Sequence, residues 1–217
     1  MISRNITEVH FPVLMDAVHQ LRRFSERAIE PAPYYHSFLR TLSNSVLPLL
    51  GVTMVLTAGG NFRAECKVTR AAFDFEIPDD EIWGHVMDLV HRSFYSTLGI
   101  AVEAMCKGYC DARGKAVSAS RPPRPSEFMD YVNAALHASA LREDRKTHWR
   151  SYFEAIRTLR NKSSHYDTTL TAHETGVLRR AGLDHHIGAT GHMQTNPANY
   201  APLAHATLDF IRELEKK

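Results

Sequence analysis

Cysteine is scarce in this chain: Cys66, Cys106 and Cys110 are the only three among 217 residues. So small and odd a number cannot make a disulfide framework, which points to free thiols and a reducing, cytoplasmic setting. Charge of one sign is not in excess either, since 26 Lys+Arg face 24 Asp+Glu for a formal +2. That balance excludes a protein that coats nucleic acid nonspecifically, so any nucleic-acid contact must be local. Long apolar runs are missing too. The most apolar stretch, residues 46–58, is interrupted by Pro48 and Gly51 and is shorter than the roughly 20 residues that span a bilayer. A buried segment and no membrane association are expected. The polar residues Asn5, Thr7 and Glu8 soon after the start argue against a secretory signal.

Several chemical signatures are also lacking. There is no G-x-G-x-x-G and no Gly-Lys-Ser/Thr, so Gly59-Gly60 reads as a turn rather than a phosphate cradle. No H-E-x-x-H helix and no G-x-S-x-G elbow is present, which removes the usual sequence support for zinc hydrolysis and for Ser/His hydrolysis. No cofactor is implied.

What is present is helical periodicity over most of the length. At 217 residues the chain suits one domain, or a core domain with an added subdomain. Phe11, Leu14, Met15, Val18 and Leu21 predict a helix over about 11–29, and Tyr35, Phe38, Leu39, Leu42 and Val46 a second that Pro48 ends. Alternation at Phe62, Ala64, Cys66 and Val68, and again at Phe73, Phe75 and Ile77, fits a small β-hairpin near residues 52–77, although Ala71-Ala72 also suits a helix. Pro78-Asp79-Asp80 starts the longest periodic segment, expected over about 80–109, with Gly99 inside it and Gly108 or Gly114 near its end. Arg121-Pro122-Pro123-Arg124-Pro125 makes a stiff connection, after which Ser126 caps a helix running to about Leu141. Thr147 is placed to cap a helix carrying Trp149, Tyr152, Phe153, Ile156 and Leu159, and Thr171 with Glu174 forms a capping-box pattern beside Leu170 and ahead of Gly182. Residues 184–201 read as a loop, and Leu203, Thr207, Phe210, Ile211 and Leu214 as a final helix. The predicted fold is mainly α: a bundle of about five to seven helices, divided into an N-terminal segment, 1–78, and a helical bundle, 79–217.

The most informative short segment is Arg160-Asn161-Lys162-Ser163-Ser164-His165. Arginine presents five fixed donors that match phosphate oxygens, and histidine is the side chain whose ordinary pKa lies nearest neutrality. Together they suit cleavage of a phosphodiester. On an ideal helix five steps of about 100° separate Arg160 from His165 by roughly 140° around the axis. Bringing the pair together therefore calls for a break, and Ser163-Ser164, which compete for backbone hydrogen bonds, are its expected place. The plainer reading is a solvated helix end whose Arg157, Arg160, Lys162 and His165 complement the negative C-terminal dipole.

The R-N-x3-H pattern resembles the HEPN superfamily, whose recurring signature is an arginine, four to six residues and a histidine, often with a polar residue after the arginine. The likeness covers residues 80–217 best and extends to nothing recognisable in 1–77. It implies a helical bundle, usually dimeric, with two copies of the motif facing each other across a positively charged cleft. It also implies a metal-independent endoribonuclease, often in toxin-antitoxin or phage-defence settings, that leaves a cyclic phosphate and a free hydroxyl. By the same resemblance His165 acts on the ribose hydroxyl or leaving oxygen, Arg160 binds the scissile phosphate and Asn161 orients them. Arg157, Lys162 and Tyr166 are candidates for tracking the RNA backbone or stacking on a base, although a surface or core role is the ordinary one for each. Expected partners are an RNA substrate, a second copy of the chain and an antitoxin or regulatory protein. Other members have lost catalysis and act as nucleotide-binding or assembly modules, which is the alternative reading.

A rival chemistry lies in the histidine-rich C-terminal third, where six of 13 histidines fall between His165 and His205. Asp184-His185-His186 with His192 is its densest cluster, but adjacent histidines do not easily aim at one ion, and no metal site is expected. Cys106 and Cys110 share a helical face without a second cysteine pair and read as apolar fillers.

Overall fold

Phe94, Leu98, Val102, Met105 and Tyr109 recur every three or four residues and are all buried. That stripe draws α1, Asp79–Ala112, onto the rest of the chain. The computed structural model describes residues 79–115, 127–164, 168–195 and 199–215, all within the second of the two expected segments. The expected helix over 11–29, the second helix that Pro48 ends, the hairpin near 52–77 and the proline-rich connection lie outside the described residues.

The described fold is mainly α. After α1 come α2 (Glu127–Ala138), α3 (Glu143–Ser164), α4 (Ala172–Arg180), a single 3-10 turn (Asp184–His186) and α5 (Tyr200–Glu215). No helix among the described residues is long and apolar enough to cross a membrane. α1 packs against α2 and α3, and α4 lies on α3. The expected start of α3 needs correcting: Thr147 lies inside the helix, which begins a turn earlier at Glu143 and Asp144. These carboxylates favourably face the positive end of the helix dipole. Gly108 is likewise inside α1, and the chain turns at Gly114, whose φ of 63° suits glycine.

One core joins the helices. Trp149 and Phe153 of α3 meet Phe210 of α5 with ring centroids 5.2 and 4.7 Å apart, and Phe94 of α1 stacks on Tyr200 of α5 at 3.9 Å. Its polar atoms are largely matched. The Trp149 Nε1–H donates to Glu213 at 2.8 Å, and Arg145 gives the same carboxylate two hydrogen bonds. The Tyr109 hydroxyl donates to the Leu214 carbonyl at 3.0 Å. Cys106 and Cys110 are free, buried thiols within this core, and burial pushes both pKa values up.

The capping box at α4 is present as expected. Thr171 Oγ1 accepts from the Glu174 N–H at 3.2 Å, while Glu174 accepts from the Thr171 N–H at 2.8 Å. Leu170 is buried beside it, and Gly182 takes a φ of 71° after the helix. Residues 184–195 carry more order than a loop. Antiparallel bridges pair Thr169 with His192 and Ile187 with Met193, folding the histidine-rich segment back on itself.

Candidate functional site

The end of α3 combines an apolar stripe with a basic edge. Trp149, Tyr152, Phe153, Ile156 and Leu159 are buried, which fixes the helix's rotation and turns Arg160 toward α1. There the Arg160 Nη1 donates to Glu103 Oε1 at 2.6 Å, and the guanidinium carbon lies 6.0 Å from the Phe128 ring centre. Both partners of the ion pair are partly open, with 29% of the arginine and 26% of the glutamate side chain exposed. The arginine lies directly over Gly99. A Cβ there would stand 2.8 Å from Arg160 Cδ and 3.2 Å from Nε, closer than side chains pack. The glycine in the middle of α1 thus makes room for the arginine, and Glu103, one turn further on, holds it.

The helix continues through both serines. The hydroxyls of Ser163 and Ser164 each donate to the Arg160 carbonyl at 2.9 Å, so one carbonyl near the helix end receives two side-chain donors. Helix α3 is described as far as Ser164, the expected place of its end, and serine back-bonding to the preceding turn is compatible with the helix up to that point. Thr168 is non-helical. His165 and Tyr166 lie outside the described residues.

The remaining motif side chains diverge. Asn161 is exposed. Lys162 reaches α4 instead of the Arg160 side: its Nζ donates to the Thr169 carbonyl at 2.6 Å and pairs with Glu174 at 3.2 Å. Partial burial works against ionisation of Glu174, yet hydrogen bonds from Thr171 and Lys162 prevail and hold its carboxyl below the usual range. Arg157 pairs with Glu154 on its own helix and keeps a buried Nε without a hydrogen-bond partner among the described residues. Arg160 and Asn161 thus share one turn, whereas Arg157 and Lys162 are committed to other contacts within the fold.

Glu103 and Gly99 are the site residues that sequence reasoning missed. The available signal was a glycine interrupting an otherwise strongly apolar helical stripe, which marks close approach of another group. Nothing in the sequence said that the group would be Arg160.

The histidine cluster does not converge. His186 is buried and its Nδ1 lies 3.3 Å from the Gln194 carbonyl and 3.4 Å from the Tyr95 hydroxyl, while His185 and His192 are exposed. Burial pushes the His186 pKa down to about 4, with His185 adding to the effect and the Gln194 carbonyl opposing it. Among the described residues no three His, Cys, Asp or Glu side chains form a group able to hold a metal.

Compared with family models, with characterised proteins and with solved structures, the chain matches none.

Proposed function

We propose that this protein is a metal-independent endoribonuclease of HEPN type, acting as a homodimer whose composite site takes one R-N-x3-H motif from each chain. The observation that supports the reading is that Arg160 and Asn161 lie in the last turns of α3, with Arg160 steadied by Glu103 and His165 five residues after Arg160 in the sequence. Only one N–H of the guanidinium is used in that bond, so the partly exposed group keeps further donors for a phosphate.

In this mechanism a histidine takes the ribose 2′ proton, the 2′ oxygen attacks phosphorus, and the bond to the 5′ oxygen breaks as that oxygen is protonated. Arg160 stabilises charge growing on the non-bridging oxygens. Asn161, exposed beside it, orients the reacting groups. His165 from the two chains divides the acid and base roles. The products are a cyclic phosphate and a free hydroxyl. The free thiols at Cys106 and Cys110 suit a reducing cytoplasm, where a toxin or phage-defence nuclease with an antitoxin or regulator would operate.

The test is incubation of the purified protein with mixed RNA in EDTA beside His165→Ala and Arg160→Ala. Cleavage by the wild type alone supports the assignment. Equal cleavage by all three, or none by the wild type across varied RNAs, refutes it. A monomeric mass by light scattering at micromolar concentration would remove the composite site.

One observation favours the second reading, a non-catalytic HEPN-like binding or assembly module. Glu103 already neutralises Arg160, so a phosphate must compete with a carboxylate for the same cation. RNA binding without cleavage, abolished by Arg160→Ala, would select that reading.

A further inference from the structure

Among the described residues, every Lys and Arg of α3 but one pairs with a carboxylate. Arg145, Lys146, Arg157, Arg160 and Lys162 each pair with a carboxylate. Arg150 does not; its Nε donates to the Asn133 Oδ1 at 3.1 Å, a neutral partner. On α4, Arg180 also has no carboxylate partner among the described residues. Its Nη1 folds back over Gly176, 3.4 Å from where a Cβ would stand.

These two arginines line the same groove. It has a volume of about 300 Å³ and lies between α2, α3 and α4. Its apolar side is formed by Met129 and Val177, which are 9% and 4% exposed, and Asn133 and Ser151 add hydrogen-bonding groups. Glu154 lies in the wall too, but its charge is matched by Arg157. Two guanidinium groups from separate helices, without a carboxylate partner among the described residues, therefore stand beside a small apolar surface.

We propose that this groove binds a small phosphomonoester, with the phosphate held by Arg150 and Arg180 and a ring-sized organic body lying on Met129 and Val177. A phosphate is favoured over a carboxylate because its dianion and three terminal oxygens can satisfy two planar guanidiniums at once. The volume is at the lower end of the roughly 300–1,000 Å³ of small-molecule sites, which limits the organic part to about one ring. Arg157 bonds Glu154 through Oε1, and Oε2 would accept from a ligand hydroxyl. The proposal is independent of RNA cleavage, since neither arginine belongs to the R-N-x3-H motif.

Phenyl phosphate, inorganic phosphate and benzyl alcohol would be titrated calorimetrically into the full chain, with the Met129 and Val177 methyl resonances followed by NMR. Phenyl phosphate is expected to bind at least about tenfold more tightly than either fragment and to shift both methyls. Arg150→Gln and Arg180→Gln should each weaken binding about tenfold, with unchanged thermal melting and unchanged RNA cleavage. Absence of binding, or binding by either variant as tight as that of the wild type, overturns the proposal. Equal affinity for inorganic phosphate would mean an adventitious ion only. Shifts of the two methyls by short RNA but not by phenyl phosphate would overturn it in favour of an RNA surface.

Discussion

Replacing Gly99 by alanine should separate stability from activity. Two effects oppose each other in the folded protein. Alanine in a helix interior is favoured over glycine by about 0.5–1 kcal/mol, because the unfolded chain loses less freedom on folding. Against this, the new methyl would stand 2.8 Å from Arg160 Cδ, so the arginine must move and its 2.6 Å bond to Glu103 is lost. A charge-assisted bond contributes about 1.5–3 kcal/mol when well buried, and less here because both side chains are about a quarter exposed. After that discount the loss is about 1 kcal/mol, so the net change in unfolding free energy should lie within about 1 kcal/mol of zero. The proposed mechanism requires Arg160 beside the scissile phosphate, and under it RNA cleavage should fall by about a hundredfold or more, the scale of losing one transition-state donor. Urea unfolding and a cleavage assay on the same preparation measure the two quantities. Full activity with an unaltered melting curve would refute the argument that α1 positions Arg160. A loss above about 3 kcal/mol would show that the arginine cannot swing away.

Acid should destabilise the fold through His186. Its folded pKa of about 4 lies below the ordinary 6.5, so between those values the unfolded chain binds a proton that the folded chain refuses. Stability from this group is fully present above pH 6.5 and falls as pH drops, by about 2–3 kcal/mol on reaching pH 4.5. His186→Leu should flatten that slope in urea titrations at pH 7.5 and 4.5, and an unchanged slope would count against the buried neutral imidazole. Thr171→Ala removes the hydroxyl that receives the Glu174 N–H and should cost about 1 kcal/mol, read as a lower midpoint in the same assay. Glu213→Leu strips the acceptor from the Trp149 indole and Arg145, and a loss of about 1–3 kcal/mol is expected by thermal unfolding.

The helices were legible wherever local pattern and packing agree. α1 extends only a few residues beyond the expected 80–109, and the capping box at Thr171 and Glu174 forms as written, because both depend on neighbours within one turn. The start of α3 was misjudged because Thr147 is a good cap residue and Glu143 with Asp144 is a good first turn; either suits a helix start in isolation. The histidine-rich segment looked irregular because its order comes from bridges to Thr169 and from Met193 donating to the Thr168 carbonyl, contacts across more than 20 residues.

By itself the sequence determined the helical class, the apolar stripes and a motif whose residue types suit phosphate chemistry, since each follows from periodicity or side-chain chemistry. Tertiary structure alone decided what the Arg160 and Lys162 side chains face. Arg160 lies across Gly99 to Glu103, 57 residues away in the chain, whereas Lys162 turns to the cap of α4. Rotation of α3 about its axis sets those directions, and burial of its stripe from Trp149 to Leu159 against the neighbouring helices sets the rotation.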